Sequence, residues 1–365
     1  MYGDAVNNRF NGRAGDDVLN GGPGSDFAEY FNAPVGVVVN LTAGTANDGE
    51  GGTDVLISME SAIGSNFADT ITGAVGPAYT NSVLFGGQGN DLLISPLTAA
   101  QLQAANAFVS VSLTPTGAAT VDLAQGTANT PGSGIDTLQD INGAVVTGSF
   151  TFTLLGTELD NLFQAGSAAD TIDGRGGTDV VTYQDDLTNG RTGVVVNLVA
   201  GTAVDAAGST DRLISIEGAL GHYGADSLLG DANANIFDPG TGADTVDGGA
   251  GIDTLIYGFG SRPDSTNAVT GAGGQGQPAV GVVVDLAGGT ATDLAGATDI
   301  VLNFENVIGS VLADVIYANA LANLIQGRGG NDALVGLDGD DTLVGGAGVD
   351  TLAGGAGNDS MDMGD

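Results

Sequence analysis

The sequence predicts an all-β parallel solenoid with four Val-rich inserts and one short helical insert. Three observations carry that reading: a nine-residue unit repeats without a gap near the C-terminus, a longer period overlies it, and a carboxylate recurs at one place in the unit. Gly327-Arg328-Gly329-Gly330-Asn331-Asp332-Ala333-Leu334-Val335 opens a run whose next units end at Val344, Ala353 and Asp362. The sixth place holds Asp332, Asp341, Asp350 and Asp359, and the eighth holds Leu334, Leu343, Leu352 and Met361. A Gly-rich turn, one carboxylate and one inward side chain per unit describe a coil repeated along an axis.

The same unit aligns along the whole chain. Its sixth places are Asn8, Asp17, Asp26, Asp69, Asp91, Asn161, Asp170, Asp179, Asp226, Asn235, Asp244, Asp253, Asp314 and Asn323, followed by the four Asp above. The eighth place tests this register independently. It reads Phe10, Leu19, Ala28, Ile71, Leu93, Phe163, Ile172, Val181, Leu228, Phe237, Val246, Leu255, Ile316 and Ile325 before the C-terminal run, and all but Ala28 are large and apolar. Each unit therefore supplies a short strand with one side chain turned inward.

The longer period comes from Val-rich inserts. Gly36-Val37-Val38-Val39-Asn40-Leu41 returns around Asp122, Asn197 and Asp285, and Asp54, Asp136, Asp211 and Asp299 follow these polar residues at constant spacing. Alternating Val37, Val39 and Leu41 suit a half-buried strand. Asp54-Val55-Leu56 resumes the Asp-x-apolar pattern, so the inserts are expected to continue the coil as larger rungs. We expect one continuous solenoid over 1–365, with super-repeats 1–63, 64–147, 148–220 and 221–308 and a nonapeptide block 309–365. Ser95-Pro96-Leu97 and the run to Phe108 read as a helix with Ser95 as N-cap. Gly258–Ala279 reads as a long surface loop and the only glycan-site candidate.

Composition narrows the chemistry. The chain has 44 acidic residues against 7 basic ones, a formal net charge of −37, yet 42% of its residues are hydrophobic. Such a charge opposes nucleic acid and anionic membranes as partners. A counter-ion organised only by the folded form reconciles the charge with the regular apolar pattern. Cysteine is absent, which leaves hard, oxygen-liganded metals. No apolar run approaches a membrane span, and Met1-Tyr2-Gly3-Asp4 shows no cleavable export signal.

Glycines in the turn let the backbone curl and aim its carbonyls, and Asp adds charge to those dipoles. One turn offers too few oxygens for a six- to eight-coordinate Ca²⁺, so two stacked turns are needed. With two units per coil, same-edge neighbours are Asp226 with Asp244, Asp314 with Asp332, Asp332 with Asp350, and Asp341 with Asp359. The candidate ligands are Asp17, Asp26, Asp69, Asp91, Asp170, Asp179, Asp226, Asp244, Asp253, Asp314, Asp332, Asp341, Asp350 and Asp359. An Asp here also serves simply as a turn former. Asn8, Asn161, Asn235 and Asn323 bring no charge and read as stacked or capping rungs. Glu60, Glu217 and Glu305 read as edge residues or hydrogen-bond partners of insert backbone, and His222 as a turn substituent.

Residues 345–353 (Gly-Gly-Ala-Gly-Val-Asp-Thr-Leu-Ala), 248–256 and 86–94 resemble the hemolysin-type calcium-binding repeat of the RTX family. The resemblance implies a right-handed parallel β-roll, multiple Ca²⁺ held between successive turns, and type I secretion with folding outside the cell. Family members usually carry an export signal after the last repeat, whereas this sequence stops at Asp365 inside the pattern. With one His and no Lys, H-E-x-x-H and P-loop motifs are absent, as is G-x-S-x-G, so no catalytic activity is expected. The expected role is a secreted, calcium-dependent structural protein of a bacterial surface or matrix: an adhesin stalk, surface-layer element or filament subunit, self-associating head to tail or in a lattice. The alternative is the β-roll tail of a secreted hydrolase or epimerase.

Overall fold

The computed structural model describes residues 1–75, 81–105, 107–113, 117–183, 193–221, 223–258 and 280–364. Residue 222 and nearly all of the 258–279 loop lie outside them, so the readings of His222 and of a glycan site there also fall outside. The chain divides into two compact units. One holds Met1–Val181 with Thr210–Ser215, and the other the described parts of Thr182–Ser209, Ile216–Gly260 and Asn267–Asp365.

Each unit is a parallel β-solenoid with two faces. In the first unit one face runs Arg9–Phe10, Phe27–Glu29, Ser61–Ile63, Asn81–Phe85, Phe108–Leu113, Gly143–Val146 and Leu162–Gln164, every pair parallel. In the second unit the corresponding face runs from Gly218–Leu220 to Ser360–Asp362. Register follows the nonapeptide. Ile325 pairs with Leu343 on one face and Leu334 with Leu352 on the other, so one coil is two units.

The eighth-place residues form the core. Leu19, Ile71, Leu93, Phe163, Ile172, Phe237, Leu255, Ile325, Leu334 and Leu343 are all fully buried. Three-residue strands this short hold together only because each inward side chain stacks on its counterpart one coil away.

The inserts differ from expectation in one respect. Asp54-Val55-Leu56 does rejoin the coil, pairing in parallel with Val18–Asn20. Between them, however, Val38–Asn40, Thr45–Asn47 and Thr53–Ile57 form an antiparallel meander, so the insert is a hairpin added to the sheet rather than a wider rung. Sequence explains the reversal. Asn40 Oδ1 accepts the Ala43 N–H at 2.8 Å, and Gly44 takes a left-handed φ of 69° that a side chain would resist. Asp122, Asn197 and Asp285 start the same turn, and Gly126, Gly201 and Gly289 close it with φ of 65°, 64° and 68°. Buried Val37 and Val39 flank exposed Val38, as the alternation requires.

In the first unit this second face runs in one order from Val18–Asn20 to Thr210–Ile214, through two complete meanders. Its two end strands do not pair with each other, so the sheet does not close into a barrel. Among the described residues one α-helix occurs, Ala99–Ala105. It starts later than expected. Thr98, not Ser95, caps it by exchanging hydrogen bonds with Gln101, whereas the Ser95 hydroxyl accepts the Leu97 N–H in a turn just before.

Core truncation should be costly and surface change cheap. Leu343→Ala is expected to remove about 3 kcal/mol of stability, and Val38→Thr, on the exposed side of its strand, less than about 0.5 kcal/mol. Urea unfolding in saturating Ca²⁺ measures both.

Candidate metal sites

Every turn delivers its sixth residue just before a strand begins, so the side chains from successive coils stack in rows. Oδ1 of most of the aspartates accepts a backbone N–H from the coil before. The four expected same-edge pairs all occur: Asp226 N–H to Asp244 at 2.7 Å, Asp314 to Asp332 at 2.8 Å, Asp332 to Asp350 at 2.9 Å and Asp341 to Asp359 at 3.1 Å. Asp69 receives Val37, Asp91 receives Asp69, Asp170 receives Phe152, Asp179 receives Asn161, Asp26 receives Asn8 and Asp253 receives Asn235. Most of these carboxylates are buried; Asp17 and Asp359 are partly exposed. They face into the turns, not into water.

The rows also contain residues that the candidate set omitted. Asp54, Asp136, Asp211 and Asp299 receive the N–H groups of Asp17, Asp91, Asp170 and Asp244. Their constant spacing within the inserts was the available signal. Glu60 and Glu305 take the same part for Asp26 and Asp253, at 2.8 and 2.9 Å. A shorter turn with a longer side chain thus replaces a longer turn with Asp. Asp48 and Asp293 brace the hairpin tips and reach across to the N–H of Gly15 and Gly242.

What varies is the second carboxylate oxygen. In the first and fourth inserts a tyrosine satisfies it: Tyr30 donates to Asp54 Oδ2 at 2.9 Å and Tyr257 to Asp299 Oδ2 at 2.8 Å. At Asp69 and Asp314 the turn itself does so, through the N–H of Ser65 and Ser310 at 2.6 Å. The Asn turns use their amide. Asn161, Asn235 and Asn323 accept a turn N–H through Oδ1 and donate Nδ2–H to the carbonyls of Asn142, Glu217 and Glu305. Asp would place an acceptor against those carbonyls, which accounts for Asn there.

Among the described residues, six aspartates show no such closure. Oδ2 of Asp91, Asp244, Asp253, Asp332, Asp341 and Asp350 is buried without a hydrogen-bond partner, an arrangement that costs several kcal/mol per ion unless something positive offsets it. The space beside these oxygens is lined with backbone carbonyl. A Cβ added to Gly327 would lie 2.2 Å from Asp332 Oδ2 and 2.7 Å from the Gly345 carbonyl oxygen, and one on Gly336 would meet Asp341 Oδ2 and the Gly354 carbonyl at 2.3 and 2.5 Å. Only glycine leaves that cradle open.

Among the described residues no group of three or more Asp, Glu, His or Cys side chains forms a ready-made metal cage. A cation here must draw on carbonyls as well as carboxylates, which suits Ca²⁺ better than Mg²⁺. The residues present fit such an ion.

Burial also moves the proton equilibria. It pushes the Asp244 carboxyl up to about 8, Asp91 and Asp299 to about 7, and Asp253 and Asp314 to about 6. The second insert has no tyrosine at the place of Tyr30. There burial pushes the Asp136 carboxyl up to about 6, beside the carboxylate of Asp91.

A family model of the RTX calcium-binding nonapeptide repeat, in four copies, matches residues 1–28, 80–95, 155–185, 220–255, 308–343 and 326–361. No curated protein matches the chain. All six aspartates with an unpartnered oxygen fall inside the matched segments.

The pH dependence follows with a definite sign. These carboxyls ionise near 3.8 when unfolded and only near 6 to 8 when folded, so in chelator the fold should lose stability as pH rises from about 4 to 8. Ca²⁺ needs the ionised form and should reverse the trend. Thermal melts across that window, with and without Ca²⁺, test both signs.

Proposed function

The chain carries RTX calcium-binding nonapeptide repeats wound as a parallel β-roll, and from that premise we propose that it is a secreted, calcium-dependent structural protein of a bacterial cell surface or matrix. The observation that carries the reading is the set of six buried carboxylate oxygens without a donor, five of them beside a glycine cradle and the sixth, of Asp244, in a turn that opens with Pro239. Ca²⁺ would be held by these aspartates and the carbonyls of adjacent turns. It supplies positive charge that stitches coil to coil.

Charge arithmetic supports the dependence. On the order of ten Ca²⁺ would offset about twenty of the 37 net negative charges. Without them, repulsion and the entropy of a chain with 64 glycines oppose folding. With them, binding free energy becomes folding free energy. Affinities like those of extracellular modules, roughly 10⁻⁴–10⁻³ M, would keep the chain unfolded where Ca²⁺ is scarce and fold it outside the cell.

RTX repeats are typical of secreted proteins, and among the described residues no helix is long and apolar enough to cross a membrane. Within the reading, the chain is a stalk, surface-layer element or filament subunit and has no catalytic activity of its own. Rows of carboxylates occupied in stacking coils are supports rather than an acid–base pair.

Circular dichroism during Ca²⁺ titration tests the proposal. A β-signal appearing in the submillimolar to millimolar range, and lost in chelator, is expected. A β-signal of full size in chelator at pH 7.5 would overturn it. Sedimentation in the same series reads whether copies associate.

A further inference from the structure

The turns fall into two conformational classes, and residue two of the nonapeptide separates them. In the six turns with an unpartnered Oδ2 that residue always has a left-handed φ: Gly87 98°, Gly240 83°, Gly249 95°, Arg328 74°, Leu337 71° and Gly346 103°. Where the sixth residue is satisfied from within the turn, residue two has no such φ, and its N–H donates to that side chain. Ser65 to Asp69, Gly166 to Asp170, Ser310 to Asp314, and the four Asn turns all follow this rule.

A trans peptide points its N–H and C=O in opposite directions. Turning the N–H of residue two away from the carboxylate therefore exchanges a donor for an acceptor on the side facing it. In the open class the N–H is engaged elsewhere: Gly240 and Gly249 donate to Asp238 and Asp247, two residues back. The open turn is then lined by acceptors only, which suits a cation. The closed turn has already neutralised its side chain with donors, and at Asp69 and Asp314 the serine hydroxyl adds a second one at 2.8 Å. A cation there would have to displace two donors and lie beside a third N–H, that of Val37 or Val282.

We propose that the backbone conformation at residue two decides which turns take Ca²⁺: the turns of Asp91, Asp244, Asp253, Asp332, Asp341 and Asp350 are filled, as are those of Asp17, Asp26, Asp179 and Asp359, whose residue two is also left-handed (Arg13 64°, Gly22 91°, Arg175 69° and Gly355 107°), and those of Asp69, Asp170, Asp314 and the four Asn are not. The inference rests on the calcium-binding reading and refines it residue by residue. Asp69, Asp170 and Asp314 thus become internal hydrogen-bond hubs. The Ser-headed turns directly follow strands Ser61–Ile63 and Asn306–Ile308, the first strands of the parallel face after a meander. They close the coil where a meander has interrupted the ion row.

Crystals of the unmodified chain grown in millimolar Ca²⁺, with data collected at long wavelength, give the direct test. Anomalous peaks are expected at the ten turns with a left-handed residue two and none beside Asp69, Asp170, Asp314 or the Asn residues. In solution, Asp314→Asn should leave the number of bound ions per chain unchanged by equilibrium dialysis and atomic absorption, whereas Asp341→Asn should lose about one. Peaks at Asp69 and Asp314 equal to those at the open turns, or equal ion loss in the two variants, would overturn the rule and leave the calcium reading intact. A chain that binds no Ca²⁺ at all would instead sink the reading on which it rests.

Discussion

One constraint governs the molecule: most turns bury a carboxylate at the point where they enter a strand, and the preceding coil's backbone uses only one of its two oxygens. Oδ1 takes the N–H of the preceding coil, a bond of 2.7 to 3.1 Å that recurs through both units. That row joins the turns as the ladder joins the strands. It leaves a second oxygen, already desolvated, that the fold must answer.

The chain answers in four ways, and the choice tracks position. Tyrosine hydroxyls serve in the meanders, turn N–H and serine hydroxyls just after them, and amide side chains above the short insert turns. The turns of Asp91, Asp244, Asp253, Asp332, Asp341 and Asp350 have none of these. A neutral donor and a shared cation are thus interchangeable solutions to one electrostatic problem.

The apolar core was legible because its period is local. A side chain at the eighth place of every unit must point inward once the unit makes one turn and one strand, and Leu334, Leu343 and Ile325 are buried as that argument requires. The eighteen-residue pairing of same-edge aspartates was legible for the same reason. The meander was not. Val38 and Val39 announce a strand, but parallel continuation and antiparallel return place the same residues on the same face. Deciding between them needs the left-handed Gly44 and the Asn40 turn. The helix start moved from Ser95 to Thr98 because two hydroxyl residues three positions apart can each cap, and only the path of the strand entering the turn selects one.

Taken alone, the sequence determined the solenoid class, the inward stripe, the places of the carboxylates and the exclusion of thiolate or multi-histidine metal chemistry, since each follows from residue type at a fixed short spacing. Only the tertiary structure decided that the inserts double back, that Asp54, Asp299, Glu60 and Glu305 join the rows, and which carboxylate oxygens lack a donor. Those depend on the direction of single peptide groups and on residues from coils 18 to 55 positions away. A spacing rule cannot see either.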